Sequence, residues 1–296
     1  MIEYKCPVCG SCNVINKNQL EDMLYGHEGS WESVECADCS LQYIFPFPSD
    51  EELSKFYDKD SYYSFNLVKA KNTPWSIYRR YSRRLMPKTY KNQRVLDYGC
   101  GDGEVLNIAK MMGAEVFGLE FGASAERVRR ATGFEIYDEA PEQWMKSMDF
   151  IRSNHSLEHV KDPVAVLELF KNLAKDSKSV IKIGVPNCDS WAASLFGKYF
   201  FYKGAPVHTV GFSPKSIEYA AKQAGLTVVS IKTIGGLRGW IGSLIIYVQS
   251  LLGQRSREPS TRLLLLLSPF YLLFICFDQI AMILKKGHLL EVTLRK

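Results

Sequence analysis

The segment that decides the fold of this chain is VLDYGCGDGE at residues 95–104, an apolar run with one acid that passes into three alternating glycines. A backbone without Cβ atoms can turn sharply from a strand into a helix and let a ligand approach the main chain. A second apolar run, 114–119, ends in Glu120. An acid at the tip of the next parallel strand is placed to bind ribose hydroxyls. The pattern therefore predicts a nucleotide-like ligand at this turn.

The glycine spacing narrows the choice of ligand. It is Gly99-x-Gly101-x-Gly103, whereas dinucleotide sites carry G-x-G-x-x-G. Asp97, just before the glycines, suits the ammonium group of a cationic ligand better than a pyrophosphate. LDYGCGDG resembles motif I of the class I S-adenosylmethionine (SAM) dependent methyltransferases, and Gly-Leu-Glu at 118–120 resembles their ribose-binding acid. The residues expected at the cofactor are Asp97, Gly99, Cys100, Gly101, Gly103, Glu120, Tyr137, Asp138, Ser153 and Asn154.

Length and composition indicate one catalytic domain with a small attached module. The chain has 296 residues, of which 46% are hydrophobic and 23% charged, as in globular proteins. The net charge of +5 gives no reason to expect nucleic acid as a partner. An arginine cluster at 79–84 is either a solvated helix face or a phosphate contact. The polar start is unlike a signal peptide, so we expect a cytoplasmic protein.

Cysteine spacing predicts a zinc ribbon at the N-terminal end. Four cysteines form two Cys-x2-Cys pairs, which are Cys6 with Cys9 and Cys36 with Cys39. Two such turns complete a closed tetrahedral site, so the zinc would be structural. A disulfide is the alternative, disfavoured without a sign of export. CPVCG, the second pair and LQYIFP at 41–46 together resemble the zinc-ribbon methyltransferases of sugar and surface-polysaccharide pathways.

Strand and helix patterns alternate along the rest of the chain. They predict an α/β fold, a seven-stranded Rossmann-like methyltransferase sheet whose last two strands pair antiparallel. Strands are expected at 94–98, 115–120, 134–137, 149–154, 179–185, 226–233 and 288–294, and helices at 104–112, 123–132, 163–173 and 214–224. The expected units are a zinc ribbon at 1–48, a helical linker or cap at 49–90, the catalytic domain at 91–234 with 287–296, and a hydrophobic helical hairpin at 235–286.

Motifs that follow the fourth and fifth strands carry the expected chemistry, because ligands of such sheets bind at the carboxyl ends of strands. LEHV at 157–160 with Asp-Pro at 162–163 resembles a motif that forms the floor of the active site in these methyltransferases. Val-Pro-Asn at 185–187 resembles the family's VPN turn, and His208 before Phe-Ser at 212–213 resembles its H-x3-FS segment.

Methyl transfer is an in-line displacement, so the protein must align an acceptor and remove its proton. The candidate bases are His155, His159 and His208, since histidine titrates near neutrality. His155 and His208 are preferred, because His159 also suits a packing role. Alternatively, these histidines and Glu158 bind a divalent metal. That grouping resembles the ExxEH set of RNA 3′-end and quinone-pathway methyltransferases, with His155 in place of the first acid.

A long apolar stretch near the C-terminal end is the other unusual feature. Residues 263–284 carry one charge, Asp278, and are long enough to span a bilayer. The strand expected at 288–294 must nevertheless return to the sheet. We therefore expect an apolar hairpin, 241–252 followed by 263–284, that docks on the membrane face. A helical lid over the site and a transmembrane anchor are the alternatives.

Together these features predict a cytoplasmic SAM-dependent methyltransferase, peripheral or monotopic at the inner membrane. The expected acceptor is a glycan or a lipid-linked glycan precursor, and O-, C- and N-methylation stay open. One alternative is a quinone or small-lipid methyltransferase. The other is a non-catalytic protein that binds SAM and interacts through its zinc ribbon.

Overall fold

The computed structural model describes residues 4–24, 26–57, 91–253 and 269–296. Within these ranges the chain forms two sheets, one of seven strands and one of four. Most of the expected linker and its arginine cluster, together with residues 254–268 of the expected hairpin, lie outside the described residues.

The seven-stranded sheet is the one that the sequence predicts. Its order is β10-β11-β8-β7-β4-β5-β6. Strands β4 to β8 run parallel, and β11 pairs antiparallel with both β8 and β10. These strands are β4 (Arg94–Tyr98), β5 (Glu115–Leu119), β6 (Ile136–Tyr137), β7 (Phe150–Asn154), β8 (Val180–Pro186), β10 (Thr227–Ile234) and β11 (Leu289–Arg295).

Helices flank this sheet, and two of them begin at side-chain caps. The Asp162 carboxylate accepts a hydrogen bond from the Ala165 amide at 2.9 Å, and Ser213 caps a later helix through the Ser216 amide at 3.1 Å. Each cap is followed by proline in the first turn, where its fixed φ favours helix initiation. The predicted helices are confirmed as α2 (Glu104–Met111), α3 (Ala123–Thr132), α4 (Pro163–Leu173) and α6 (Pro214–Gln223). Short helices α1 (Asp50–Ser54) and α5 (Trp191–Phe196) complete this part.

The four-stranded sheet joins the cysteine-rich segment to the catalytic domain. Its order is β1 (Val14–Leu20), β2 (Trp31–Cys36), β3 (Gln42–Ile44) and β9 (Val210–Gly211). The last strand comes from the catalytic part of the chain, with Tyr43 opposite Val210. The Ile44 amide also donates to the Thr209 carbonyl at 3.0 Å. The N-terminal module is therefore completed by a strand that begins two residues after His208.

Two apolar helices lie between β10 and β11, as the predicted hairpin requires. They are α7 (Leu237–Leu251) and α8 (Pro269–Ile283). Trp240 of α7 stacks on Phe274 of α8 with ring centroids 5.3 Å apart. In the described part of the chain, no helix is long and apolar enough to cross a membrane. Because β11 pairs within the sheet, the expectation that the chain returns to it after the apolar stretch is confirmed.

Candidate active site

The glycine loop after β4 is shaped by two different constraints. Gly99 has φ +69° and Gly101 has φ +57°, a left-handed region that side chains rarely adopt. A Cβ on Gly99 would also collide with the Ser156 side chain, whereas a Cβ on Gly101 would meet nothing within 4 Å. Gly99 therefore lets the loop after β7 approach closely, and Gly101 leaves open space above the main chain.

Glu120 closes this loop from the end of β5. Its carboxylate accepts hydrogen bonds from the Gly101 amide at 2.7 Å and the Phe121 amide at 3.0 Å. Burial raises the pKa of Glu120, and the two amide donors oppose that rise. The sequence-predicted ribose acid therefore lies against the predicted glycine loop, with open space above Gly101 for a ligand. This arrangement fits the nucleoside part of SAM.

Asp97 has a partner that the sequence reasoning missed. The Asp97 side chain is fully buried, and its Oδ1 accepts a hydrogen bond from Arg152 Nη1 at 2.5 Å. The two residues are Cα partners on the adjacent parallel strands β4 and β7. Asp97 Oδ2 is buried without a hydrogen-bond partner. Asp97 therefore neutralises a guanidinium inside the sheet and keeps one oxygen for a further cation or donor.

The other expected cofactor residues lie at the same edge of the sheet. Ser153 is fully buried at the carboxyl end of β7, with no partner for its hydroxyl oxygen, and Asn154 follows it. Tyr137 ends β6 and donates its hydroxyl to Glu135 at 3.0 Å. Asp138 lies 3.7 Å from the Arg129 guanidinium.

The loop after β7 holds a histidine in an unusual backbone conformation. His155 has φ +55°, which is uncommon for a non-glycine residue and is concentrated at functional sites. Its Nδ1 lies 3.0 Å from Glu158 Oε1, and Glu158 is buried. Burial alone would raise the pKa of Glu158, but the hydrogen bond from His155 and the neighbouring histidines lower it to about 2. Glu158 is therefore a carboxylate at neutral pH.

His159 and His208 meet beside this pair. Their ring centroids are 4.7 Å apart. His159 Nδ1 donates to the Val207 carbonyl at 3.1 Å, and His208 Nδ1 donates to the Tyr202 carbonyl at 2.9 Å. Burial is the main cause that lowers both pKa values, that of His208 to about 4, so both rings are neutral at pH 7. The structure thus brings all three sequence-predicted histidines into one cluster.

The cluster also offers a set of atoms suited to a cation. Ligand atoms of Glu158, His159 and His208 all lie within 4.8 Å of one another. Glu158 Oε2 is buried and has no hydrogen-bond partner. Backbone carbonyls bind the Nδ1 atoms and so fix each ring, as the partners of metal-binding histidines commonly do. His155 is not among these three residues, although the sequence analysis included it.

Three residues near the histidines had no role predicted from the sequence. They are Tyr202, Lys203 and Gln42, of which Gln42 lies in the LQYIFP segment. The Tyr202 ring stacks on His155 at 5.8 Å on one side and on His288 at 5.5 Å on the other. Lys203 Nζ donates to Gln42 Oε1 at 2.6 Å, and both line a pocket with His208. The β3–β9 pairing, with Gln42 opposite Gly211, brings Gln42 here, and the LQYIFP segment did not predict this neighbour.

The four cysteines of the ribbon have the geometry of a metal site. Their sulfur atoms lie within 4.8 Å of one another, with Cys6 Sγ 3.5 Å from Cys39 Sγ and Cys9 Sγ 3.4 Å from Cys36 Sγ. A disulfide bond is about 2.05 Å, and all eight cysteines are free thiols. Zinc–sulfur bonds of about 2.3 Å in a tetrahedron place sulfurs about 3.8 Å apart. The cluster therefore fits four-coordinate zinc.

Comparison with protein families identifies the catalytic domain. A family model described as a methyltransferase domain matches residues 74–231, just over half of the chain. The chain therefore belongs to the methyltransferase domain family. The seven-stranded sheet and the glycine loop place it among the class I SAM-dependent methyltransferases, so the predicted class of enzyme and its cofactor are confirmed.

The chain is also similar to individual curated proteins. The ubiquinone biosynthesis O-methyltransferase of Pseudomonas fluorescens is 27% identical over 158 residues, which cover 47% of this chain and 66% of that protein. The protein of the same name from Bordetella parapertussis is 27% identical over 174 residues, covering 54% and 70%. The match thus spans just under two thirds of the Pseudomonas protein.

A solved SAM-dependent methyltransferase from Archaeoglobus fulgidus covers 79% of this chain and all of its own, at 18% identity and a TM-score of 0.48.

Proposed function

We propose that this protein transfers the methyl group of SAM to a hydroxyl oxygen of a glycan or a lipid-linked glycan precursor at the cytoplasmic face of the membrane. The observation that carries the transfer step is the 3.0 Å contact between His155 Nδ1 and the buried Glu158 carboxylate. A carboxylate that accepts from Nδ1–H fixes the imidazole tautomer and leaves the Nε2 lone pair as a base.

His155 is the better placed of the two preferred bases. Its side chain is about one-third exposed and its Nδ1 lies against the Glu158 carboxylate, whereas Nδ1 of His208 is held by a backbone carbonyl. SAM supplies the methyl group on a sulfonium that leaves as a neutral thioether. His155 Nε2 takes the proton of the acceptor hydroxyl while the hydroxyl oxygen bonds to the methyl carbon. Glu158 stabilises the resulting imidazolium.

Polar groups form part of the wall of a small pocket beside His208. Its wall includes the Lys203–Gln42 pair and the hydroxyl-bearing Ser33 and Thr209. A cation and an amide suit an acceptor that carries hydroxyls and a negative charge. The resemblance of the ribbon to those of sugar-pathway methyltransferases supports the same acceptor class.

A quinone precursor is the second candidate acceptor, and a specific observation favours it. The two curated relatives described above are both named ubiquinone biosynthesis O-methyltransferases. A phenolic hydroxyl on a polyisoprenoid would use the same base and the same membrane-facing hairpin.

Labelled methyl transfer into membranes of the source cell separates these acceptors. Membranes are incubated with methyl-labelled SAM, extracted into organic and aqueous phases, and then mildly acid-hydrolysed. Label that is found in the organic phase and becomes water-soluble on hydrolysis supports the lipid-linked glycan. Label that stays organic supports the quinone or lipid, and label found only in the aqueous phase indicates a soluble saccharide.

The base assignment predicts a specific loss in His155→Gln. Glutamine keeps a donor toward Glu158 but provides no base, so turnover should fall roughly 10²- to 10⁴-fold. SAM affinity, measured by calorimetry, should stay within about twofold, since the glycine loop is untouched. Unchanged turnover in His155→Gln together with its loss in His208→Ala would move the base to His208.

A divalent metal at Glu158, His159 and His208 is the alternative way to activate the hydroxyl. The orphaned Glu158 Oε2 supports it, because a bound cation would satisfy that atom. Such a metal would act as a Lewis acid that lowers the pKa of the acceptor hydroxyl. A second metal per chain beside that of the cysteines, lost in Glu158→Gln, would favour this alternative.

We also propose that Cys6, Cys9, Cys36 and Cys39 hold a structural zinc ion. The four thiols, the sulfur distances and the small sheet beside them support this assignment. The sheet has few buried apolar side chains of its own, and metal binding can supply folding free energy to such a module.

A further inference from the structure

Helix α8 is apolar around most of its circumference. Its buried side chains Phe274, Asp278 and Ala281 form one narrow stripe. At 100° per residue, the exposed apolar residues that follow are spread over about 220° of the remaining circumference, an arc that also contains the exposed Gln279. They are Phe270, Leu272, Leu273, Ile275, Phe277, Ile280, Ile283 and the adjoining Leu284. A surface helix of a globular protein shows an apolar stripe of only about 100°.

The single charge of α8 is turned away from this surface. Asp278 is buried and accepts a hydrogen bond from Trp240 Nε1 of α7 at 3.0 Å. Its carboxylate also lies 3.8 Å from the His288 ring nitrogen. Helix α7 contains no acidic residue and adds the exposed side chains of Tyr247 and Leu251. The apolar surface of the two helices therefore carries no exposed acid.

Basic side chains lie at the edges of this surface. Lys285 is exposed and directly follows the exposed Leu284. Lys198 is exposed next to Tyr199, whose ring packs on Tyr247 of α7 at 5.3 Å. Apolar residues in the middle with lysines at the rim match a bilayer with anionic headgroups.

We infer that the exposed face of α7 and α8 is a docking surface for an anionic lipid bilayer. A partner protein or a second copy would cover one side of a helix, whereas a surrounding acyl layer covers the wide apolar arc observed on α8.

A series of ring contacts connects the buried side of α8 with the active site. His288, beside Asp278, stacks on Tyr202, and Tyr202 stacks on His155. Vesicle binding itself needs no turnover, so it is tested independently of the proposed acceptor.

The test is flotation of the full-length protein with vesicles of phosphatidylcholine alone and of phosphatidylcholine with 30% phosphatidylglycerol. The wild type should float, more strongly with the anionic lipid. Leu272→Glu/Ile283→Glu places two charges on the surface and should weaken partition roughly tenfold or more, since each replaced side chain loses apolar burial. Met111→Glu/Met145→Glu changes two exposed apolar residues that lie outside both helices and far from them in sequence, and this variant should float like the wild type.

Calorimetric SAM binding and circular dichroism verify that each variant is folded, and light scattering reports self-association. Flotation of Leu272→Glu/Ile283→Glu equal to that of the wild type would overturn the inference. No flotation of the wild type would also overturn it. A wild-type dimer that this variant dissociates, without any vesicle binding, would assign the surface to a second copy instead.

Discussion

Substitution of Gly99 by alanine tests how the glycine loop is built, because the structure separates two costs there. The first cost is conformational. Alanine at φ +69° must adopt the left-handed region, which costs about 1–2 kcal/mol. The second cost is steric, since the new Cβ collides with the Ser156 side chain. Overpacking of this kind typically adds about 1–3 kcal/mol. Gly99→Ala should therefore lower the free energy of unfolding by about 2–5 kcal/mol.

Gly101→Ala is the matched control for the conformational cost alone. Gly101 has φ +57°, and a Cβ there meets nothing within 4 Å. This variant should lose about 1–2 kcal/mol. The double variant Gly99→Ala/Ser156→Gly removes the collision but keeps the strained φ, so it should return to the level of Gly101→Ala.

Urea denaturation of the four proteins, followed by circular dichroism, measures these differences. Calorimetry with SAM adds an independent readout, because the open space above Gly101 is where a ligand would approach. In Gly101→Ala the loss of SAM binding free energy should therefore exceed the loss of unfolding free energy. Equal stability of Gly99→Ala and Gly101→Ala, or no recovery in the double variant, would refute the close approach of the β7 loop to Gly99.

Two further predictions concern the buried ion pair and the ribbon. Asp97→Asn should lower the free energy of unfolding by about 3 kcal/mol, since the Arg152 side chain is only 13% exposed and its guanidinium loses its counter-charge. Its SAM affinity, measured by calorimetry, should also fall, and unchanged affinity would remove Asp97 from the cofactor site. Cys39→Ser should abolish the proposed zinc site and lower turnover at unchanged SAM affinity, because β3 pairs with β9 next to His208. Metal analysis and methyl transfer assays check this prediction. Cys12→Ser, at an exposed cysteine outside the cluster, is the control that should keep its metal. Full turnover of a metal-free Cys39→Ser would contradict the dependence of turnover on the cysteine cluster.

Local sequence was sufficient for the elements of the large sheet. The apolar run at Arg94–Tyr98 was predicted with the bounds that the structure has, because glycines end it and a polar stretch precedes it. The helices Ala123–Thr132 and Pro163–Leu173 were also predicted at their observed bounds. Caps, prolines and C-terminal glycines act within one helical turn, so their effect can be read from neighbouring residues.

Local sequence also identified most of the candidate site. Residues that follow parallel strands meet at one edge of the sheet, so motifs 50 residues apart were expected together. His155, His159 and His208 meet there. The cysteine spacing likewise predicted a four-sulfur cluster, because each Cys-x2-Cys pair sits on one tight turn.

The tertiary structure alone decided the partners of these residues. Arg152 pairs with Asp97 through the register of β4 and β7. The order of residues along the chain does not predict that register. The β3–β9 pairing places Gln42 beside Lys203, 161 residues away. His155 was grouped with Glu158 from the sequence, but its φ of +55° and the 3.0 Å contact of its Nδ1 with the carboxylate are seen only in the structure. Periodicity and spacing determine elements and the sheet edge they share, whereas side-chain partners depend on strand register and packing between segments distant in sequence.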